Sequence, residues 1–414
     1  MRKLILSRKK IKASALFYAL TVALLMSIFM SAVIFLADIN GFHFSNLELR
    51  EQLLLNAHSG INILRASNDN PTSELDLFGD ANDYVKLTKK QWGLFEVGVS
   101  KAYVGDYQLT RSAQFGYTPL DRTIAIYLAD NNKPLSLSGH TFVKGTVYLP
   151  KAGVSRAYIE GQSFIGKQLI EGNIQQSNKI LPEINKSLVQ YNLNRLDGIQ
   201  NNIPIEEWPD TLTRSFSGES AILYSDEPII IDQKYKGNII IGSDSKVTVS
   251  NQAQLEDVLI YAPEIEIQDR FNGNLQLFAS RSIQIGQQCH LSYPSAVCLL
   301  ANTSPAPFIR ISQRAIIDGI VLVYQVNKNK EDPLLSIEQD ALLKGQVYVD
   351  GALELKGSVY GNVICSKFLL RTPSSIYENH LLNATIDYSK LSPHYVGSGL
   401  LASQSEKKIV KWLD

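Results

Sequence analysis

The feature that most constrains this chain is an apolar run over residues 13–37, ASALFYALTVALLMSIFMSAVIFLA, which contains no charged side chain. As a helix that rises 1.5 Å per residue, the run would span about 37 Å, whereas the hydrocarbon core of a bilayer is about 30 Å thick. Six bases and no acid precede it: Arg2, Lys3, Arg8, Lys9, Lys10 and Lys12. Because basic residues mark the cytoplasmic end of a membrane span, we expect a single-pass protein with a cytoplasmic N-terminus and an external body.

A cleaved signal peptide is the alternative, because such peptides also open with a basic segment. The run is about twice as long as the apolar part of a signal peptide, which has ~7–15 residues. Phe35 also occupies the position where a small residue would precede a cleavage site at Ala37. We therefore expect an uncleaved anchor in the lipid bilayer, with the body on the periplasmic or cell-surface side.

The segment over residues 38–66 has the pattern of a second, amphipathic helix. Asn40-Gly41 predicts a break after the first helix, and Ser45 with Glu48 predicts a capping box that starts the next one. Its apolar residues form one stripe, which needs a surface to cover it. That surface is either the β domain of the same chain or the helix of a neighbouring subunit. The candidate partner-helix stripe comprises Leu47, Leu54, Ala57, Ile61 and Leu64.

A short basic leader, a long apolar helix and the amphipathic segment LLLNAHSGINIL together resemble the N-terminal stalk of minor pilins and pseudopilins. Within residues 12–17 the chain lacks the Gly-Phe pair and the early Glu of the main pilin class, and some minor pilins also lack that Glu. The resemblance implies association with other envelope or pilin-like subunits.

Two periodicities dominate the rest of the chain. Over residues 343–363 every odd position is Gly, Cβ-branched or another aliphatic residue, which indicates strands with one buried face. The triplets VTV, IEI and IQI begin at residues 247, 265 and 283, and are therefore 18 residues apart. A second set, III, VLI and LQL, begins at residues 239, 258 and 275. A period near 18 predicts a parallel β-helix, whereas the rival antiparallel sandwich gives no reason for matched triplets.

Residues 343–363 also resemble the repeats of bactofilins, a polymer-forming β-helix family; this likeness implies a fold and not filament formation. We expect a mainly β chain: a parallel β-helix body with a small antiparallel β module, preceded by one transmembrane α-helix and an amphipathic helix. Its parts are a cytoplasmic basic head (1–12), the transmembrane helix (13–37), the juxtamembrane amphipathic helix (38–66), a small β module (67–130), a first β-helix segment (131–180), a helical interruption (181–197), the main β-helix (198–386) and a C-terminal tail (387–414).

Charge and composition argue against several classes of function. Lys+Arg and Asp+Glu are both 40, so without the basic head the remainder is mildly acidic, and we expect no nucleic-acid partner. No histidine or cysteine has the spacing of a metal site, and we expect no metal, cofactor or catalytic residue. β-Helix enzymes that act on polysaccharides need clustered acids. The exposed acidic edge of Glu264, Glu266 and Asp269 instead alternates with basic and polar neighbours.

The cysteines leave one question open. Cys289 and Cys298 are nine residues apart and are candidates for a disulfide in an external compartment. Cys365 continues the buried odd positions, so we expect a free, buried thiol there.

The sequence therefore favours a non-enzymatic structural protein of the cell envelope, a component or assembly factor of a pilus-like or secretion-linked machine. The alternative is a membrane-tethered β-helix that binds or processes a glycan, which leaves a glycan open as a partner.

Overall fold

A computed structural model describes residues 13–67, 74–77, 79, 83–119, 123–198, 208–302, 307–327, 331–401 and 406–413. Within these ranges the chain is mainly β, with two α-helices. Helix α1 runs from Ala13 to Ala66, and helix α2 from Lys186 to Leu196.

Helix α1 is continuous through Asn40 and Gly41, so the predicted break and the predicted restart at Ser45 are wrong. A glycine in a helix interior costs only about 1 kcal/mol relative to alanine, and no proline lies between residues 13 and 66. The helical residues on both sides therefore carry the helix across the Asn-Gly pair. At 54 residues and 1.5 Å per residue, α1 is about 81 Å long.

Five strands form an antiparallel sheet in the order β1-β2-β3-β4-β30. Its two central hairpins close with two-residue turns that open on Gly93 and Gly105, both with positive φ, which glycine adopts without strain. The fifth strand comes from the C-terminal part of the chain and pairs with β4. The strands are β1 (Glu74–Asp76), β2 (Asp83–Trp92), β3 (Phe95–Val104), β4 (Tyr107–Tyr117) and β30 (Lys407–Trp412).

Most of the remaining strands form one closed sheet in which nearly all neighbours are parallel. It contains β5 (Ile124–Leu128), β7 (Phe142–Lys144), β8 (Thr146–Leu149), β12 (Ile174–Gln176), β13 (Thr211–Arg214), β14 (Ala221–Ser225), β15 (Ile229–Ile231), β16 (Lys234–Gly237), β17 (Ile239–Ser243), β18 (Lys246–Val249), β19 (Gln254–Ile267), β20 (Asn272–Ile285), β21 (His290–Ala301), β22 (Phe308–Ile311), β23 (Ile316–Gln325), β24 (Leu334–Ile337), β25 (Leu342–Leu355), β26 (Ser358–Arg371), β27 (Ile376–Glu378) and β29 (Thr385–Asp387).

Two small sheets flank it. One is the three-stranded parallel sheet of β6 (Leu135–Ser138), β9 (Val154–Arg156) and β28 (His380–Leu382), and the other is the hairpin of β10 (Tyr158–Ile159) and β11 (Gln162–Ser163).

The predicted 18-residue register is present in the parallel sheet. Val247 pairs with Ile265, and Ile265 pairs with Ile283. All three side chains are buried in the core that the closed sheet encloses. The odd positions from 343 to 363 are likewise all buried. Period-two patterning therefore predicted correctly which face of each strand points inward.

Stacking does not follow chain order. Strand β26 pairs with β5, and β29 pairs with β7, so residues 124–149 continue the sheet beyond residue 371. The segments on both sides of α2 therefore belong to one closed sheet with one continuous core.

A column of glycines forms one corner of this sheet. Gly319 pairs with Gly345, which pairs with Gly361, and all three have φ between 144° and 155°. A Cβ at any of them would collide with the carbonyl group of the residue below it. Glycine is therefore required at each of these three levels of the corner.

Candidate assembly surface

The N-terminal part of α1 makes little contact with the rest of the described chain. Its apolar side chains between Leu16 and Leu36 are mostly more than half exposed. By length and composition, α1 is the described helix that is long and apolar enough to cross a membrane. One N-terminal apolar helix is thus available as an anchor.

The C-terminal part of α1 packs on the antiparallel sheet. Leu53, Ala57, Ile61 and Leu64 are buried there, against a cluster of Val85, Leu87, Ala102, Ala113 and Phe115. A Cβ at Gly60 would collide with Ser100, so the helix backbone approaches β3 closely at this glycine. The sheet thereby fixes the direction in which the exposed part of α1 projects.

The structure places the members of the predicted stripe in different surroundings. Ala57, Ile61 and Leu64 lie on the sheet of the same chain, Leu54 is half-buried, and Leu47 is 65% exposed. Leu53 is buried more deeply than Leu54. Leu47 is exposed because the buried residues of α1 begin only at Leu53. The drift of a straight α-helix, about 20° per heptad relative to a seven-residue repeat, adds a smaller change of direction.

An apolar stripe remains exposed on α1 outside its contact with the sheet. Phe44, Leu47 and Leu55 are 70%, 65% and 59% exposed, and at 100° per residue their side chains fall within an arc of about 80°. We call these three residues the outer stripe. It lies C-terminal to the apolar run, and no described part of the chain covers it.

Two buried lysines hold the C-terminal end of α1. Lys89 and Lys407 donate hydrogen bonds to the carbonyl oxygen of Ser67, at 3.1 and 3.4 Å. Lys407 also pairs with Glu96 at 2.7 Å. Burial acts to lower the pKa of Lys407, but the hydrogen bond and charge of Glu96 outweigh it and raise the pKa above its ordinary value. Cations at this end also stabilise the helix through its macrodipole.

Strand β30 ties the same region to the parallel sheet. Lys411 Nζ lies 2.8 Å from Asp257 and 2.9 Å from Glu256. Burial raises the pKa of Asp257, although the positive charge of Lys411 acts in the opposite direction. Trp412 also contacts His58 of α1, with 5.2 Å between ring centroids. The strand therefore contacts the helix, its own sheet and the parallel sheet.

The β2–β3 turn is inserted into a polar socket on the parallel sheet. Gln276 Oε1 accepts a hydrogen bond from the Leu94 amide at 2.8 Å, and Gln276 Nε2 donates to the Trp92 carbonyl at 3.1 Å. The Trp92 indole donates to the Asp257 carbonyl at 3.3 Å. Because all of these groups are buried, each hydrogen bond replaces one that the group would make to water in the unfolded chain.

Helix α2 completes the socket. Asn192 donates to the Gly93 carbonyl at 3.3 Å and accepts from the Tyr261 hydroxyl at 2.9 Å. Tyr191 donates to the Gln91 carbonyl at 3.0 Å. Around these bonds, Trp92, Phe95 and Val97 pack on the outer face of the parallel sheet. The antiparallel sheet and the parallel sheet are thus held in one orientation.

Sequence reasoning did not identify the socket residues or the two lysines at the helix end. Their partners are 22 to 340 residues away along the chain, and no periodic pattern shows which residues they contact. The sequence carries only a weak signal for the two amides. Gln276 interrupts an apolar strand, and Asn192 interrupts the apolar face of a helix.

Each acid of the predicted edge has a partner. Glu264 lies 3.5 Å from Arg281, Glu266 lies 2.6 Å from Lys246, and Asp269 accepts a hydrogen bond from the Gln287 amide at 2.7 Å. Among the described residues, no three His, Cys, Asp or Glu side chains are grouped so that they could hold a metal ion.

The three cysteines are free and buried. Cys289 points into the core that the parallel sheet encloses, whereas Cys298 lies in the cluster on its outer face. Because the sheet separates them, the disulfide between Cys289 and Cys298 that the spacing left open is not formed. Burial raises the pKa of all three thiols.

A scan of protein-family models finds no match to the chain, and neither does a search of curated proteins. Among solved structures, the chain is similar to the competence-associated pilin ComZ from Thermus thermophilus. The identity is 11%, 99% of each chain is covered, and the TM-score is 0.22. A TM-score of that size does not indicate a shared overall fold.

Proposed function

We propose that this chain is a non-enzymatic, membrane-anchored envelope protein that serves as a structural or assembly component of a pilus-like or secretion-linked machine. One observation carries the proposal: α1 is fixed to the antiparallel sheet at one end and leaves about 35 residues free at the other. Such a helix can join a membrane and neighbouring helices while it presents the body.

The six bases before Ala13 support the orientation, with the N-terminus in the cytoplasm and the body external. Protease added to intact spheroplasts should then remove the body. A body that stays protected until the membrane is permeabilised would contradict this orientation.

The stretch between membrane and sheet supports assembly. Residues 38–48 would lie in water without support from their own chain, although an isolated helix of this length is marginal. The outer stripe adds apolar surface that a soluble monomer would not normally expose. A helix of a neighbouring subunit would both cover the outer stripe and stabilise this stretch of α1.

We further infer that the closed parallel sheet is a parallel β-helix, bactofilin-like in fold, and that it is the part presented to the exterior. The paired triplets and the glycine corner support this assignment. The engagement of Glu264, Glu266 and Asp269 in separate contacts supports a non-enzymatic role, since glycosidases need two carboxylates facing one bond.

Cross-linking in native membranes tests the assembly role. The three natural thiols are buried, so a single added cysteine will be the main reactive site. We expect Leu47→Cys to give a cross-linked species larger than the monomer. Ile376→Cys is the matched control, because Ile376 is 68% exposed on the body, away from α1.

If Leu47→Cys and Ile376→Cys cross-link equally, or if neither exceeds random collision, the stalk has no specific neighbour and the assembly role is wrong.

A further inference from the structure

A cleft of about 760 Å³ lies between the outer face of the parallel sheet and the segment that leads into α2. Two tyrosines of the sheet hold its wall in place. The Tyr348 hydroxyl donates to the Pro182 carbonyl at 3.1 Å, and the Tyr127 hydroxyl donates to the Ile180 carbonyl at 3.3 Å. The cleft is therefore already formed, and its volume falls in the range of small-molecule sites.

The lining combines an aromatic and apolar floor with charged groups of both signs. Tyr324, Tyr348, Leu181 and Ile184 provide the floor. The charged groups nearly balance, with the carboxylates of Asp130, Glu183, Asp350 and Glu378 and the ammonium groups of Lys179, Lys186 and Lys367. A highly charged ligand of either sign would meet as much repulsion as attraction in this cleft. A purely apolar ligand would remove water from the charged side chains without replacing the hydrogen bonds that the water makes to them.

The backbone at the cleft floor is already paired. Strand β25 pairs with β23 on one side and β26 on the other, and β26 pairs in turn with β5. An extended peptide that binds by strand addition would find no free edge there. A ligand must therefore bond to side chains that include both acceptors and donors, which suits a molecule rich in hydroxyl groups.

Tyr324 is an aromatic residue of the cleft lining whose hydroxyl is not used to hold the wall. Its ring lines the cleft and is half-buried, and its hydroxyl makes no hydrogen bond within the described part of the chain. The Tyr348 hydroxyl, by contrast, is used to hold the wall. The electron-rich face of an aromatic ring attracts the polarised C–H groups on a sugar face.

We propose that this cleft binds an oligosaccharide of low net charge, with the Tyr324 ring as its stacking platform and the surrounding carboxylates and ammonium groups as partners for its hydroxyls. The floor crosses β23, β25 and β26, and adjacent strands are about 4.8 Å apart, so the ligand would lie across the strands over roughly 10 Å or more. This site is independent of the assembly role of α1.

Saturation-transfer NMR with the full chain tests this site. The detergent must have no sugar head group, so a zwitterionic amine oxide is used. The probes are maltotetraose, chitotetraose and tetragalacturonate. We expect saturable binding of at least one of the two uncharged probes, weaker binding of the polyanionic one, and a loss of about tenfold in affinity for Tyr324→Ala.

Three variants complete the test. Tyr324→Phe keeps the ring and should retain affinity within about threefold. Asp350→Asn keeps the side-chain shape and should weaken binding, so it tests the site even when Tyr324→Ala does not fold. Tyr158→Ala is the matched control, because Tyr158 is 72% exposed on the β10–β11 hairpin outside the cleft. Absence of saturable binding by both uncharged probes, or equal binding by wild type, Tyr324→Ala and Asp350→Asn, would overturn the proposal.

Discussion

The two ends of α1 differ in what surrounds them, although they belong to one unbroken helix. Between Leu16 and Leu36 the large apolar side chains are exposed on every side of the helix. From Leu53 onward, Ala57 and Gly60 lie among leucine and isoleucine on the side that faces the sheet. The apolar content of a helix alone therefore does not determine which part of it is buried. The shape of its surface decides whether it fits a sheet closely or suits a fluid environment such as lipid.

The largest expected effect comes from a charge placed in the sheet-bound end. Ile61→Asp puts an unpaired carboxylate into a fully buried site and should lower the free energy of unfolding by about 3–5 kcal/mol. Asn62→Asp, one residue along on the exposed side, should change it by less than about 0.5 kcal/mol. Denaturant unfolding in micelles measures both. Similar losses for the pair would mean that the sheet does not bury this end of α1.

The same substitution at the two glycines of α1 sharpens the comparison. Gly60→Ala creates a collision with Ser100 that overpacks the contact, and should destabilise the protein by about 1–3 kcal/mol. Gly41→Ala meets no atom within 4 Å and should stabilise the helix by up to about 1 kcal/mol. Thermal unfolding followed by circular dichroism reports both changes. A gain in stability from Gly60→Ala would show that α1 does not approach β3 closely.

Removing the cation at the end of α1 should have a smaller effect. Lys407→Met keeps the aliphatic stem but deprives the Ser67 carbonyl and Glu96 of a partner, and we expect a loss of about 1–2 kcal/mol. Lys89 still reaches both groups, which limits the loss. Lys408→Met, on a half-exposed neighbour, is the control and should lose less than about 0.5 kcal/mol. Equal stability of the two variants would show that Lys407 does not hold the helix end.

The pH dependence should show the smallest change. The folded-state pKa of Lys407 is raised, so its contribution to stability is fully present below the unfolded pKa and is lost as pH rises through the folded value. As the pH rises above the ordinary lysine pKa of about 10.5, the wild type should therefore lose more stability than Lys407→Met does. Parallel curves for the two proteins would contradict the assigned direction of the pKa shift.

Regular patterns predicted much of this fold, and contacts between distant segments were missed. The apolar run, the 18-residue register and the burial of Ala57, Ile61 and Leu64 all follow from spacing, because a period fixes which side chains share a face. The pairing of β30 with β4 has no such signal, since residues 387–414 read as a tail. Gln276 and Asn192 could not be identified either, because a buried amide is informative only once its partner is known.

The pairing of β30 with β4 has a consequence for the order in which the protein matures. The contact between Lys407 and Glu96 joins residues 311 positions apart, and the bond to Ser67 spans 340. Since a ribosome extends the chain at about 5–20 residues per second, α1 is complete many seconds before Lys407 exists. The C-terminal end of α1 therefore stays unclamped until residues 407–412 have been synthesised. Completion of the antiparallel sheet thus reports that synthesis has passed through the whole body.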